Sequence, residues 1–221
     1  MWGAARVGPA AIGSPHNTDR RVIIPDKTTI ERLDPADIEQ VGHLWKQLID
    51  HVAALPGALV PVRPADESWE LEREEMLKEL ADEAFVLVAR RDGVIAGYAF
   101  VCIEGPDPVW YTGDKHAVLA HLCVDEAERG TGLGHQLLDA MDAELERLGI
   151  EDVEIGVDTG NDAATRLYES RGYRADFRIF YGSPGGKPWA CLRREDEDRR
   201  AERGRYAPPG RAPDAGDRAD S

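Results

Sequence analysis

Hydrophobic and polar positions along this chain follow two periods, which predicts strands and helices in mixed order. Short apolar runs bounded by turn residues predict strands, and apolar residues three or four apart predict amphipathic helices. The predicted strands are 28–33, 85–89, 94–103, 118–124, 153–157, 173–181 and 188–193. The predicted helices follow Asp34-Pro35, contain Trp69 to Leu80, follow Gly134 and span 161–171.

The order of these elements predicts an α/β fold with one sheet layer covered by helices. Residues 85–103 form a hairpin pattern around the turn at Asp92-Gly93. The helix between strands 118–124 and 153–157 implies a right-handed crossover, and therefore one parallel pair. We expect a mostly antiparallel sheet of six or seven strands, with about four flanking helices.

The two ends of the chain differ in composition from the body. Residues 1–20 lack a continuous apolar segment, so they do not resemble a secretory signal and are expected to be a disordered leader. Residues 194–221 are charged and rich in Pro and Gly, so they are expected to be a disordered tail. The 221-residue length then leaves a single domain over residues 21–193.

Charge and cysteine content exclude several classes of function. The net charge of −15 argues against nucleic acid as a partner, because phosphates require a basic surface. No run approaches the ~18 apolar residues of a membrane span. Three scattered cysteines suit neither a disulfide framework nor a metal site, and we expect a cytoplasmic protein. The acidic body would attract cationic ligands, or it serves solubility alone.

One glycine-rich turn carries the clearest chemistry. The segment Arg129-Gly130-Thr131-Gly132-Leu133-Gly134 joins a predicted strand to a predicted helix. Glycine allows positive φ, and the unpaired amides at a helix start suit an anion such as pyrophosphate. The alternative is ordinary tight-turn chemistry. His135-Gln136 follows, so the segment fits neither the nucleotide P-loop nor the dinucleotide fingerprint.

This segment resembles the acyl-CoA motif of the GNAT acetyltransferase superfamily. That motif is Arg or Gln, two residues, Gly, any residue, then Gly or Ala, here Arg129, Gly132 and Gly134. The preceding HLCVD (121–125) and the downstream NDAATRLYESRGY (161–173) also resemble family segments, and the similarity covers roughly residues 28–193. The resemblance implies acetyl-CoA as co-substrate, bound where the two parallel strands splay apart at the centre of the sheet.

The resemblance also assigns residues to coenzyme binding. Backbone groups of Leu122 and Val124 would hold pantetheine, the amides of the glycine-rich turn would hold the pyrophosphate, and the Asn161 amide would contact the pantetheine arm. The full set is Leu122, Cys123, Val124, Arg129, Gly130, Thr131, Gly132, Leu133, Gly134, His135 and Asn161. No metal is expected.

The resemblance places Tyr168 as the general acid that protonates the departing thiolate. Helix packing is the alternative for this side chain. The Leu122 amide would stabilise the oxyanion.

The general base is not obvious in the sequence. Some relatives place Glu or His at the positions of Val118 or Ala120, which are apolar here. His121 is the adjacent candidate, although strand alternation directs it to the opposite face unless a bulge reverses the parity. Packing is the alternative for His121, and a base is dispensable if the amine arrives neutral. Other candidates are Glu104, Asp114 and His116.

The remaining cysteine and aromatic residues have simpler interpretations. Cys102 and Cys123 are expected to pack as small hydrophobes. Trp45 and Trp69 are expected in the core or, alternatively, in an acceptor pocket, and Trp110-Tyr111 lies on a loop that suits such a pocket.

The predicted function is therefore N-acetylation of a primary amine on a small molecule. The alternatives are acetylation of a protein N-terminus or lysine, a catalytically silent CoA-binding module, and, more distantly, a nicotinamide-binding domain. Dimers are frequent in the family, so a homodimer is one expected assembly.

Overall fold

A computed structural model describes residues 28–56, 60–109, 113–176 and 178–180. The predicted leader 1–20, tail 194–221, strand 188–193 and the Trp110-Tyr111 pair lie outside the described residues. The strands are Thr29–Arg32 (β1), Phe85–Arg91 (β2), Val94–Glu104 (β3), His116–Val124 (β4) and Val153–Ile155 (β5). The α-helices are Gly42–Ala53 (α1), Ala65–Glu79 (α2), Leu133–Leu148 (α3) and Asp162–Ser170 (α4).

The five described strands form one sheet in the order β1-β2-β3-β4-β5. The first four are antiparallel neighbours, and β4 and β5 are parallel. The predicted α/β class with one parallel pair is confirmed. The described part of the chain holds five strands rather than six or seven. Residues 173–176 and 178–180 are not in a strand, and the predicted strand 188–193 lies outside the described residues. Residues 173–176 and 178–180 therefore have no partner strand among the described residues.

The helix predicted after Asp34-Pro35 is built in two parts. Asp34 caps it, since its Oδ1 accepts from the Ala36 N–H at 2.9 Å. Residues Pro35–Val41 form a 3₁₀ helix before α1 begins at Gly42. A Cβ at Gly42 would lie 2.7 Å from Cε2 of Trp69, so glycine allows α1 and α2 to pack closely at this point.

Apolar side chains cover both faces of the sheet. On one face, Leu133, Leu137 and Met141 of α3 pack with Leu119 of β4. On the other face, the core contains residues of α1, α2, β2 and β3, namely Leu44, Trp45, Trp69, Met76, Val86, Val88, Tyr98 and Phe100. We call these the α3/α4 face and the α1/α2 face. Trp45 and Trp69 are both buried, as their core interpretation requires.

No described helix is both long and apolar enough to cross a membrane.

Candidate functional site

The parallel pair separates part of the way along β4. β5 pairs only with Ala117–Leu119, ending at the pair Leu119↔Ile155. β4 continues to Val124, still paired with β3 on its other side. One edge of β4 from residue 120 to 124 therefore faces a gap in the described structure.

The backbone of Leu122 and Val124 points into this gap. The Asp125 N–H donates to Ala96 O at 2.8 Å, which places the backbone groups of residue 125 on the β3 side. Backbone groups alternate sides along an antiparallel strand, so those of Leu122 and Val124 face away from β3. The guanidinium Nε of Arg129 lies 3.4 Å from the Val124 carbonyl oxygen. An extended ligand in the gap would meet a strand edge that pairs with no other described strand.

A bulge in β4 reverses the side-chain parity ahead of this edge. Val101 pairs with Leu119 and Phe100 pairs with His121, so Ala120 is the extra residue. Leu119 belongs to the α3/α4 face, whereas His121 contacts Trp45 of α1. His121 therefore lies on the α1/α2 face, where simple alternation would not place it.

Gly130 and Gly132 form the floor of an open cradle after β4. Their φ values are 77° and 88°, in the left-handed region that favours glycine. A Cβ at either position would meet nothing within 4 Å. Gly134 differs, since its Cβ would lie 3.5 Å from Cδ2 of Leu167, in ordinary contact with α4. The first two glycines thus leave room for a ligand, and the third lies where a methyl group would also fit against α4.

The start of α3 supplies hydrogen-bond donors to the cradle. Its first main-chain bond runs from the Gln136 N–H to Gly132 O at 3.2 Å. The amides of Leu133, Gly134 and His135 precede that bond, and the N-cap residue Gly132 has no side chain to bond them. Together with the positive end of the helix dipole, these three amides suit a diphosphate. The cradle therefore fits the coenzyme that the motif implies.

A side chain of α1 holds the segment that joins β4 to the cradle. The Gln47 side chain donates to Asp125 Oδ2 at 3.1 Å and accepts from the Glu126 N–H at 3.0 Å. Thr131 Oγ1 donates to Glu128 O at 2.7 Å inside the turn. Gln47 was not predicted from sequence. The only signal for it is a polar residue beside the apolar stripe of α1.

Asn161 is the N-cap of α4. Its Oδ1 accepts from the Ala164 N–H at 3.1 Å. The side-chain carbonyl therefore stabilises the helix, and the amide nitrogen is the group that remains for a ligand. Of the Asn161 side chain, only the Nδ2 group is then left for the predicted contact with the pantetheine arm.

Tyr168 lies on the α3/α4 face in the same cluster as Leu122 and Val124. Its ring contacts Tyr173 edge to face, with centroids 6.1 Å apart. Burial, with a smaller effect of Tyr173, raises the pKa of Tyr168 to about 12. The phenol therefore keeps its proton at neutral pH, which a general acid requires.

The alternative base candidates lie elsewhere. His116, at the opposite end of β4 from the cradle, has Nδ1 3.1 Å from Gly105 O and Nε2 3.7 Å from Glu104. Asp114 is exposed in the segment before β4. Among the candidates, His121 alone lies beside the point where β4 and β5 separate.

The two described cysteines are free thiols held in the protonated form. Burial raises the pKa of both Cys102 and Cys123 to about 12. Cys123 Sγ donates to Leu44 O at 3.1 Å, so its side chain packs under α1. Within the described residues, no His, Cys, Asp or Glu cluster is arranged to hold a metal ion.

The known proteins to which this chain is similar include acetyltransferases. A mycothiol acetyltransferase from Thermobispora bispora is 37% identical over 117 residues, covering 50% of this chain and 37% of that protein. An L-methionine sulfoximine/L-methionine sulfone acetyltransferase from Salmonella typhimurium is 31% identical over 145 residues, covering 66% and 79%. A GCN5-related N-acetyltransferase structure from Ralstonia eutropha JMP134 matches at TM-score 0.58 and 20% identity, covering 72% and 99%.

The first of these relatives is longer than the matched region, and the chain spans little more than a third of its length. The family comparison covers more of the chain. The family model described as "Acetyltransferase (GNAT) family" matches residues 45–173, which include the β4–β5 gap, the cradle and Tyr168. The chain belongs to the GNAT acetyltransferase family.

Proposed function

We propose that this protein transfers the acetyl group of acetyl-CoA to a primary amine on a small molecule, by direct attack in a ternary complex. The observation that carries the proposal is the continuity of two surfaces. The edge at Leu122 and Val124, which pairs with no other described strand, leads along β4 to the amide cradle at the start of α3. The strand edge suits an extended pantetheine arm, and the amide cradle suits a diphosphate. A CoA thioester contains both groups.

The two candidate catalytic side chains lie on opposite faces of the sheet. Tyr168 is on the α3/α4 face, and His121 is on the α1/α2 face. The gap beside β4 connects these faces because β5 ends before it. This arrangement suits a reaction in which the leaving sulfur is protonated on one side and the amine is deprotonated on the other.

The coenzyme supplies an activated thioester, and the chain supplies the binding and the proton transfers. The Leu122 N–H, which faces the gap, would donate to the oxyanion. The ammonium of the acceptor gives a proton to His121, and its freed lone pair attacks the carbonyl carbon. As the C–S bond breaks, Tyr168 gives its proton to the departing sulfur. The nitrogen loses its second proton as the amide forms, and this proton returns through solvent to the Tyr168 phenolate. His121 then releases its own proton to solvent.

Three further observations support the choice of acceptor and compartment. The relatives from Thermobispora bispora and Salmonella typhimurium are named for small-molecule acetylation. The chain has 42 acidic and 27 basic residues, and this acidic excess favours a cationic acceptor over an anionic one. The free thiols of Cys102 and Cys123 fit a reducing compartment, so we place the reaction in the cytoplasm.

The proposal is tested by measuring thiol release from acetyl-CoA with a panel of primary amines. Wild type is expected to turn over at least one small amine, and Tyr168→Phe to lower kcat about 10²-fold or more with little change in the KM for acetyl-CoA. Tyr173→Phe is the matched control, because it removes a hydroxyl from the ring that contacts Tyr168.

Three results would contradict the proposal. Binding of CoA without turnover of any amine would favour a silent binding module. Turnover of peptides alone would favour a protein substrate. Equal rates for Tyr168→Phe and the control would remove Tyr168 as the acid.

A further inference from the structure

His121 is held among aromatic rings on the α1/α2 face. Its imidazole centroid lies 4.5 Å from the ring of Trp45, 5.3 Å from Phe100 and 6.1 Å from Tyr98. The His121 side chain is 10% exposed. Packing of this kind fixes the orientation of the ring, so its two nitrogens face different surroundings.

One of those nitrogens faces a carboxylate from α2. The Nε2 atom of His121 lies 3.2 Å from Oε1 of Glu72. A carboxylate only accepts hydrogen bonds, and a neutral imidazole carries one N–H. In the neutral ring, this contact favours the tautomer with its proton on Nε2.

The other nitrogen has no partner in the described structure. The Nδ1 atom of His121 is buried without a hydrogen bond. With the proton on Nε2, this atom carries the lone pair of the ring. A buried acceptor without a partner destabilises a histidine that only packs. A proton acceptor at a reacting site needs a free lone pair, and Nδ1 has one.

We propose that Glu72 is a positioning residue that makes His121 Nδ1 the proton acceptor for the incoming amine. This inference rests on the proposed acetyltransferase function. An N–H bond of the acceptor ammonium breaks, and its proton moves to Nδ1. The imidazolium then has two N–H groups, and the Glu72 carboxylate accepts from Nε2 and offsets the positive charge.

The helical position of Glu72 explains why this carboxylate turns inward. It lies three residues after Trp69 and four before Met76, which are 7% and 0% exposed. Positions three and four apart share one face of a helix, so Glu72 lies on the inner face of α2. Glu70 is exposed on the same helix. The other titratable groups near this site are the neutral Tyr98, Cys102 and Cys123, since burial raises the pKa of all three.

The first measurement places the proton without using activity. In ¹⁵N-labelled full-length protein, long-range ¹H–¹⁵N correlations of the His121 ring identify the protonated nitrogen, and His121→Asn assigns the signals. We expect the neutral ring of wild type to be protonated at Nε2, and Glu72→Gln to give a mixture of the two forms. A proton at Nδ1 in wild type would overturn the inference.

The second measurement separates chemistry from binding. Glu72→Gln is expected to lower kcat about tenfold or more, because it removes the charge that stabilises the imidazolium, with KM for acetyl-CoA unchanged. Glu70→Gln is the matched control, with the same charge change on the same helix and wild-type kcat expected. Thermal melts confirm that each variant is folded.

The outcomes distinguish this inference from the proposed function. Equal kcat values for Glu72→Gln and Glu70→Gln would overturn the role of Glu72 while leaving the acetyltransferase intact. Full turnover by His121→Asn would overturn His121 as the base. If wild type acetylates no amine, the function fails, and the spectroscopic result still decides whether Glu72 sets the ring proton.

Discussion

Two glycines of the glycine-rich turn are expected to respond oppositely to substitution by alanine. Gly132 has φ 88° and open space around its missing Cβ. Gly134 lies inside α3, and a Cβ there would touch Leu167 at 3.5 Å and Val124 at 3.9 Å, which are ordinary contacts. A methyl group at 134 therefore contacts the protein, and a methyl group at 132 enters the open space beside the turn.

The size of the effect follows from these two environments. Gly132→Ala forces an L-residue into the left-handed region, which costs about 1–2 kcal/mol. Gly134→Ala replaces a helical glycine by the best helix former, which stabilises by up to about 1 kcal/mol. The variants should differ by about 1–3 kcal/mol, which is a Tm difference of about 2–12 °C for a domain of this size.

Thermal melts and calorimetric titration with acetyl-CoA measure both consequences. Gly134→Ala should bind acetyl-CoA within about threefold of wild type, and Gly132→Ala about tenfold more weakly or worse, since its methyl occupies the ligand space. Tolerance of alanine at 134 agrees with the motif, which accepts Gly or Ala at that position. A Gly134→Ala protein that folds and loses acetyl-CoA binding, or a Gly132→Ala protein with unchanged stability and affinity, would refute this reasoning.

Three other properties follow from buried groups. Tyr98→Phe removes a fully buried hydroxyl that lacks a hydrogen bond, so it should stabilise the fold by about 1–2 kcal/mol in a denaturant melt; a lower midpoint would mean that the hydroxyl has a partner. Because the raised pKa of Tyr168 keeps its phenol protonated until the pH passes about 12, that proton should not limit kcat below about pH 11. A fall in rate near pH 9–10 that Tyr168→Phe abolishes would contradict this. With a pKa of about 12, Cys123 is only about 10⁻⁴ thiolate at pH 8, so iodoacetamide should label its peptide far more slowly than it labels free cysteine, and rapid labelling would show a more accessible thiol.

Local patterns predicted most of the elements. The Asp34 cap, the apolar runs of β2 to β4 and the positive φ at Gly132 each follow from a few neighbouring residues. These features depend on side-chain type and backbone freedom within one turn or strand, so they are visible in sequence. The 3₁₀ conformation of Pro35–Val41 was missed, since an apolar helical spacing does not distinguish 3₁₀ from α.

The side chains that surround His121, the predicted base, could not be predicted from local sequence patterns. The apolar run of β4 gives no sign that Ala120 is a bulge, and one inserted residue reverses the face of His121. The contact between His121 and Glu72 joins residues 49 positions apart on β4 and α2. Such pairs depend on how a helix docks on the sheet, which a single sequence does not specify.

The central claim is that the amides at the start of α3 bind the diphosphate of the coenzyme. It is tested most directly by comparing acetyl-CoA with acetyl-pantetheine, which lacks the diphosphate and the 3′-phosphoadenosine attached to it, in calorimetric titrations of the full chain. Our account predicts that acetyl-CoA binds and that acetyl-pantetheine binds about 100-fold more weakly or not at all, a difference of about 3 kcal/mol. Equal affinity for the two compounds, or no heat with acetyl-CoA, would contradict it.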